Sequence, residues 1–446
     1  MNRVYRVIWS HVLNAWVAVS EIAKGRGKAA RTVALLALPA IAQASPIGGQ
    51  VVSGIGSISQ NGAVTTINQT SQNLSLNWKS FNVGASETVN FVQSSATSLA
   101  VNRIYDTNGS QILGHLNANG QIWLINPNGI LFGKSAQVNV GGLVASTLDN
   151  ITTSGSKVSF SGSGSGRVVN EGSINGRYVA LLGNTVINNG NVAARLGSVA
   201  LGAGSSVSLT FSGSDLVSMQ VDKGVLNALV ENGGAILADG GRVILSAGAK
   251  DALLASVVNN SGVIEARTVQ NVNGTITLLG GMKAGTVNVG GTLDASAPNG
   301  GNGGFIETSA AHVNVSNDAK VTTLSNEGVS GSWLIDPTDF NIAATGGDIT
   351  GAALSANLAG GSVTISSTSG TSGTSGDINV NDVVSWSANT LTLNAQNNIN
   401  INAALNGSGT ASLAFQFGQG AVSAGNTSTD NVNAAVSLPS GNHFRS

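Results

Sequence analysis

Side chains with the reactivity for catalysis or metal binding are scarce in this 446-residue sequence. Cysteine is absent, so disulfides, thiolate zinc sites and cysteine nucleophiles are all excluded. The histidines stand far apart, at His11, His115, His312 and His443. No HExxH motif or other cluster with the spacing of metal ligands occurs. The sequence therefore predicts no metal site and no cofactor.

The closest acidic pair is Asp336 and Asp339, in the sequence Asp-Pro-Thr-Asp. A glycosidase or lyase needs acids or bases clustered on one face of its fold. Pro337 favours a turn that the aspartates cap, and we prefer this structural interpretation. Residues 129–135 imitate a phosphate-binding loop but have three residues between the glycines, where the motif needs four. We therefore predict that the protein is not an enzyme, with a carbohydrate-active enzyme as an alternative.

The overall composition restricts the fold class. Charged residues make up 9% of the chain, hydrophobic residues make up 41%, and the formal net charge is −1. Disordered chains combine low hydrophobicity with high net charge, and nucleic-acid binders need a basic surface, so both classes are excluded. The 60 glycines and the abundant Asn, Ser and Thr suit strands connected by many tight turns.

The N-terminal segment has the organisation of a secretory signal. A basic stretch over 24–31 precedes an apolar run over 33–42. The tripeptide Ala-Gln-Ala that ends at Ala44 is a small-x-small cleavage signal, which makes Ser45 the first mature residue. The apolar run is shorter than the roughly 18 residues that a membrane-spanning helix needs, and no later run reaches that length. We therefore predict signal cleavage and no transmembrane segment.

A short pattern recurs in the middle of the chain: asparagine, any residue, glycine, any residue, an aliphatic residue, any residue and a small residue. Its copies begin at Asn170, Asn188, Asn232 and Asn260, and a looser one begins at Val289. A second segment follows most copies, with one residue facing out between two that face in, as in a strand. These second segments are 179–181, 199–201, 243–245, 276–278 and 306–308. One motif at matching positions predicts a solenoid of stacked coils rather than a β-sandwich.

The connections of this solenoid are also predictable. We expect Asn and Gly at the motif turns because both tolerate left-handed backbone angles. The Gly/Ser-rich runs at 161–166 and 366–376 are predicted to be exposed loops, and 300–304 a tight corner. Strands are predicted to resume at 378–380, 391–393 and 399–401.

Residues 45–150 carry sharper local patterns. Among them are Trp-Lys-Ser-Phe-Asn-Val-Gly at 78–84, Val-Asn-Phe-Val-Gln at 89–93 and Val-Asn-Arg-Ile at 101–104. Between two aliphatic runs, the sequence Asn-Pro-Asn-Gly-Ile begins at residue 126 and predicts a turn. In this turn Pro127 fixes φ, Asn126 can bond the backbone, and Gly129 accepts a positive φ.

These segments resemble the N-terminal secretion domain of two-partner-secreted exoproteins, the group of filamentous haemagglutinin and the high-molecular-weight adhesins. The chain before the signal resembles their extended signal-peptide region, and Gly-Ser-Trp-Leu-Ile-Asp-Pro at 331–337 resembles a junction after the domain. The resemblance implies an all-β fold, a right-handed parallel β-helix (β-solenoid) with an N-terminal cap and small extra-helical β elements. It divides the chain into an extended signal peptide over 1–44, a secretion domain over 45–340 and the start of a further solenoid stalk over 341–446, which we expect to be truncated.

The resemblance also implies a route and a partner. After Sec export, periplasmic domains of a dedicated outer-membrane β-barrel transporter recognise such a chain, which is then secreted or held at the bacterial cell surface. By position, the secretion motif corresponds to Asn126, Pro127, Asn128, Gly129 and Ile130. Its role as a transporter contact or as a structural turn stays open at this stage.

The implied activity is adhesion to host cells, matrix or other bacteria, with a host-cell, matrix or glycan receptor. Two alternatives remain, namely the delivery stalk of a contact-dependent toxin or haemolysin, and the carbohydrate-active enzyme. The sequence predicts no nucleic-acid partner.

Overall fold

The computed structural model describes residues 5–10, 15–20, 45–248, 256–370, 374–419, 427–439 and 444–445. The chain divides into two compact units, Met1–Ala42 and Gln43–Ser446. In the first unit, the strands Tyr5–Ser10 and Ala15–Ser20 form an antiparallel hairpin. All other described elements belong to the second unit.

Three long sheets build most of the second unit. The first sheet contains, in order, Gln50–Ser53, Asn73–Trp78, Leu99–Ile104, Gln121–Ile125, Gly142–Ser146, Tyr178–Gly183, Ser198–Ala203, Arg242–Ala247, Thr275–Leu279, Phe305–Ser309, Ser332–Asp336, Ser362–Ser367, Thr390–Ala395, Ser412–Gln416 and Phe444–Arg445. The second contains Gly56–Asn61, Val64–Gln69, Thr88–Gln93, His115–Ala118, Gln137–Asn139, Ser173–Asn175, Asn191–Ala193, Ala235–Leu237, Val263–Glu265, Thr292–Asp294 and Lys320–Thr322. The third contains Ser110–Ile112, Ile130–Phe132, Arg167–Asn170, Thr185–Asn188, Leu229–Asn232, Val257–Asn260, Thr286–Val289 and His312–Val315.

From Phe340 onward, the strands of two shorter sheets alternate along the chain with strands of the first sheet. One contains Phe340–Ile342, Ile378–Val380, Ile399–Ile401 and Asp430–Val432, and the other Val384–Trp386, Leu405–Gly407 and Val436–Ser437. The helix Gly351–Leu358 lies in the chain between the strands Phe340–Ile342 and Ser362–Ser367. The side chain of its N-cap, Thr350, accepts a hydrogen bond from the backbone N–H of Ala353. No described helix is long and apolar enough to cross a membrane.

The predicted parallel β-helix is confirmed. Strands of successive coils pair in parallel, so that Val192, Ile236 and Ile264 occupy one buried column inside the tube. At one end the pairing is antiparallel, between Gln50–Ser53 and Asn73–Trp78 and between Gly56–Asn61 and Val64–Gln69. These pairs close the end of the coil and form the predicted N-terminal cap.

The predicted extra-helical element is an antiparallel sheet, which we call the hairpin sheet. Its strands are Asn150–Ser154, Lys157–Ser161, Ser206–Ser212 and Asp215–Lys223. It covers part of the first sheet with a second hydrophobic cluster, which includes Trp123, Phe160 and Tyr178. The expectation that the middle residues of 179–181 and 199–201 face solvent is therefore wrong, because Ala180 and Ala200 are buried beneath this sheet.

The expectation that the asparagines of the repeated motif are turn residues with left-handed backbone angles is wrong. None of the four has a positive φ, and all are buried. Their amides form a chain of hydrogen bonds across successive coils, each Nδ2 donating to the next Oδ1 at 2.8 Å. We call this the inner asparagine ladder, and its members are Asn170, Asn188, Asn232 and Asn260.

The motif glycines are needed for space rather than for backbone angle. Gly172, Gly190, Gly234 and Gly262 do not have positive φ, and only Gly291 of the looser copy does. A Cβ atom on Gly190 would press into the carbonyl oxygen of Gly172 in the neighbouring coil, and Gly234 and Gly262 repeat this arrangement. The glycines therefore permit the close stacking of consecutive coils.

The remaining loop predictions have mixed outcomes. The corner at 300–304 is confirmed, with φ +95° at Gly300 and +85° at Gly301. The three strands predicted after residue 376 are also present. The run at 366–376 begins inside the strand Ser362–Ser367, and residues 371–373 of this run lie outside the described residues.

Candidate functional site

The sequence Asn-Pro-Asn-Gly-Ile forms a turn between a strand of the first sheet, Gln121–Ile125, and a strand of the third, Ile130–Phe132. The turn closes through a hydrogen bond of 3.1 Å from the backbone N–H of Gly129 to the carbonyl of Asn126. Gly129 has φ +119°, as predicted. The segment therefore redirects the chain from one face of the coil to the next.

Asn126 holds this turn from the inside of the protein and is fully buried. Its Oδ1 accepts the backbone N–H of Asn128 at 3.0 Å, which is the predicted bond to the turn backbone. Its Nδ2 donates to the carbonyl of Asn108 at 3.2 Å and to the hydroxyl of Ser110 at 3.0 Å. Asn126 thus fastens the turn to the preceding coil.

Asn128 occupies the outer side of the same turn. It is exposed and Pro127 is half-buried, whereas Ile130 points into the core. The Nδ2 of Asn128 donates to the carbonyl of Asp106 at 2.7 Å. The part of the motif that a partner can reach is therefore centred on Asn128.

The Gly/Ser-rich run at 161–166 is a loop from residue 162 onward with Ser163 and Ser165 exposed, as predicted, but two of its glycines pack on this turn. The backbone N–H of Gly166 donates to the carbonyl of Pro127 at 3.2 Å. A Cβ on Gly166 would collide with the backbone of Asn128 and Gly129, and one on Gly164 would lie 2.8 Å from the carbonyl oxygen of Pro127. Side-chain-free residues let the next coil lie against the motif.

The other sharp motifs of the N-terminal region are internal supports. The indole N–H of Trp78 donates to Oδ1 of Asn102 at 2.9 Å, and both residues are buried. The buried amide of Gln93 donates to Oε1 of Gln69 at 3.0 Å and accepts the backbone N–H of Gly120 at 2.9 Å. These polar side chains satisfy one another and join consecutive coils inside the protein.

The predicted cleavage site is only partly within the described residues. Ala44 lies outside them, whereas Ser45 is buried and its hydroxyl donates to Oε1 of Glu87 at 2.9 Å. The other oxygen of Glu87 accepts the backbone N–H of Gly84 at 2.7 Å. Glu87 therefore ties Ser45 to the first coils, and cleavage itself stays a prediction.

Of the two acids considered for catalysis, Asp339 caps a turn, whereas Oδ1 of Asp336 is buried without a hydrogen-bond partner. Oδ1 of Asp339 accepts the backbone N–H groups of Gly376 and Asp377 at 2.7 and 2.9 Å, as expected of a turn-capping residue. Burial and, secondarily, the neighbouring Glu307 raise the pKa of the Asp336 carboxyl. Within the described part of the chain, no three His, Asp or Glu side chains are grouped as metal ligands.

Comparisons with known proteins agree with the family resemblance. The family described as TPS secretion domain matches residues 42–294, more than half of the chain, and the Extended Signal Peptide of Type V secretion system matches 1–48. A heme/hemopexin-binding protein of Haemophilus influenzae strain Rd is 35% identical over 251 residues, which cover 52% of this chain and 27% of that protein. A second Haemophilus influenzae protein of that name is 30% identical, with 48% and 26% covered. The chain thus matches only about a quarter of the length of these relatives.

The fold has a counterpart of known structure. The HMW1 secretion domain from Haemophilus influenzae superposes with a TM-score of 0.60 and 24% identity, covering 89% of this chain and all of that one. The extended signal and the secretion domain indicate Sec export and secretion to the cell surface or extracellular space. A TPS domain also implies an outer-membrane transporter as partner. This chain therefore belongs to the TPS secretion domain family and is a two-partner-secreted exoprotein.

Proposed function

We propose that the turn at 126–130 is the secretion motif, and that the transporter recognises it within a domain spanning 45–340, between a signal at 1–44 and a stalk segment at 341–446. The observation that carries this proposal is the opposite placement of the two asparagines. Asn126 is enclosed and shapes the turn, whereas Asn128 is accessible on its outer side. The motif then combines a structural residue with a contact residue, and the two roles can be separated by mutation.

The test compares Asn126→Ala and Asn128→Ala in cells that also produce the cognate transporter. We expect both variants to reach the medium less efficiently than the wild type. Asn126→Ala also lowers the thermal midpoint of the secreted fraction, because the buried Ser110 hydroxyl and the backbone N–H of Asn128 lose their partner. Asn128→Ala leaves the midpoint within about 2 °C, because water replaces its exposed bond.

The matched control is Asn326→Ala. Asn326 is also exposed and donates to a backbone carbonyl, that of Pro298, at 2.8 Å. Normal export of this variant supports a specific role for Asn128. Unchanged export of both motif variants, or an equal defect in the control, refutes the assignment.

We further propose that the exported chain acts in attachment, as an adhesin-type surface protein. A long solenoid with neutral polar side chains along its outer faces suits extension from a surface, and the two curated relatives are named for binding rather than catalysis. Cells with and without the transporter should differ in adherence to host cells, to matrix-coated surfaces or to each other. Equal adherence in all three assays refutes this proposal.

A second candidate is the binding of heme or hemopexin, which the names of both relatives favour. Retention of the secreted protein on immobilised hemopexin or heme-agarose, with release by the free ligand, would support it over general adhesion. The earlier alternatives have their own assays. Contact-dependent killing or haemolysis tests the toxin stalk, and polysaccharide degradation tests the carbohydrate-active enzyme.

A further inference from the structure

A cleft of about 610 Å³ lies between the hairpin sheet and the first sheet, and no residue of the turn at 126–130 lines it. Its walls combine apolar side chains with polar ones and glycines. The apolar side chains include Leu99, Val101 and Trp123 from the first sheet, and Ile151, Val158 and Phe211 from the hairpin sheet. Its volume falls within the roughly 300–1,000 Å³ of sites for small organic ligands.

An aromatic pair and a chain of hydrogen bonds order one part of the cleft wall. The rings of Trp123 and Phe211 stack with centroids 6.3 Å apart and 28° between their planes. The indole N–H of Trp123 donates to the Tyr178 hydroxyl at 3.1 Å, which in turn donates to Gln121 at 2.7 Å. This chain of bonds fixes the Trp123 ring while Phe211 stays partly exposed.

One charged side chain accompanies this mixed lining. Arg103, from the motif Val-Asn-Arg-Ile, is the only charged side chain among the described residues that line the cleft. Its Nη1 donates to the backbone carbonyl of Asp149 at 2.7 Å, and no described carboxylate lies within ion-pair distance of it. A guanidinium has five N–H donors, so most of them remain for a ligand.

We propose that this cleft binds a small amphipathic anion, in which an alkyl or aromatic group carries one carboxylate or sulfonate. The apolar group lies between the two sheets, against Val101 and Phe211, and the anionic group pairs with Arg103. A guanidinium presents parallel N–H groups that match a carboxylate. A neutral ligand has no anionic group to pair with Arg103, and a cationic ligand is repelled by the Arg103 guanidinium.

The test is titration of the secreted protein with 8-anilinonaphthalene-1-sulfonate, an aromatic sulfonate whose fluorescence rises in apolar sites. We expect saturable binding, and Arg103→Gln should weaken it about tenfold, because hydrogen bonds to charged groups are worth more than neutral ones. Arg242→Gln is the matched control, since Arg242 likewise donates its Nη1 to a backbone carbonyl, that of Val217, at 2.7 Å. Arg242 lies outside the cleft, and this variant should bind as the wild type does.

A second pair of variants guards against misfolding of Arg103→Gln. Thr153 and Thr152 are neighbours on one exposed strand, but only Thr153 lines the cleft. Thr153→Asp should weaken binding several-fold by repelling the anion, whereas Thr152→Asp should not. Unchanged far-UV circular dichroism must accompany each result, because this dye also binds partly unfolded chains.

Competition identifies the apolar group. Displacement by dodecanoate indicates an alkyl ligand, and displacement by 2-naphthoate indicates an aromatic one. Displacement by neither acid, equally tight binding of neutral 2-naphthalenemethanol, or equal effects of Arg103→Gln and Arg242→Gln would each overturn the proposal.

Discussion

Replacing Asn232 by alanine removes a central member of the inner asparagine ladder. The Oδ1 of Asn232 accepts from Nδ2 of Asn188, and its Nδ2 donates to Oδ1 of Asn260, both at 2.8 Å. All three residues are buried, so water does not replace either bond. Each buried polar group left without its partner costs about 1–3 kcal/mol, and two are created here. We expect the free energy of unfolding to fall by about 3 kcal/mol.

The same sheet offers a matched control. Asn288 makes the same two amide bonds, to Asn259 at 2.7 Å and from Asn314 at 2.9 Å, but it faces outward and is partly exposed. Water can satisfy its neighbours, so Asn288→Ala should cost about 1 kcal/mol or less. The two replaced residues, Asn232 and Asn288, therefore differ in burial but not in the number of ladder hydrogen bonds that they make.

The assay is urea unfolding of the secreted protein, followed by far-UV circular dichroism and compared at similar m-values. A larger shift for Asn232→Ala than for Asn288→Ala is the expected result. Equal shifts would refute the reasoning, because burial would then not determine the cost of breaking the ladder.

Three further predictions test the coil stacking, the buried carboxyl and the fold. Gly190→Ala should lower the thermal midpoint, because the new Cβ meets the carbonyl oxygen of Gly172. The control is Gly281→Ala, whose Cβ would have only ordinary contacts beyond 3.5 Å. Equal midpoints of the two variants would contradict this account. Asp336→Asn should raise the thermal midpoint at pH 7 but not at pH 3. Burial raises the pKa of the Asp336 carboxyl in the folded state, so the stabilisation from this group is lost as pH rises through that pKa. Equal shifts of the midpoint at both pH values would be inconsistent with this account. Without residues 1–44, the chain should give a β-dominated far-UV spectrum, and a substantially helical spectrum would end the solenoid interpretation.

Much of the fold was predictable because its signals are local. Alternation of aliphatic and polar residues specifies strands, and the repeated Asn-x-Gly motif marks equivalent positions of successive coils. The turn at 126–130 was also predictable, since the bond from Asn128 N–H to Asn126 and the positive φ of Gly129 depend only on adjacent residues. Its packing against Gly166, which is distant in sequence, was not.

The same limit applies to the asparagines and glycines of the repeat. Asn259 and Asn260 are neighbours in sequence, yet Asn259 belongs to an outer ladder and Asn260 to the inner one. Local propensity suggests a turn role for asparagine and for glycine, whereas the role that each residue has in the structure depends on its contacts with the coils above and below. The sequence separation of those coils varies, so local pattern does not reveal the partner atoms.

By itself the sequence determined the export signal, the class of fold, the position of the turn at 126–130 and the absence of thiol chemistry. Only the tertiary structure decided that Asn126 is enclosed while Asn128 is exposed, that Ala180 lies beneath the hairpin sheet, and that Arg103 borders a cleft between the two sheets. The physical reason is that burial and charge environment come from segments brought together by coil stacking and by two inserted hairpins. Strand periodicity specifies the coil but not which inserted segment covers it.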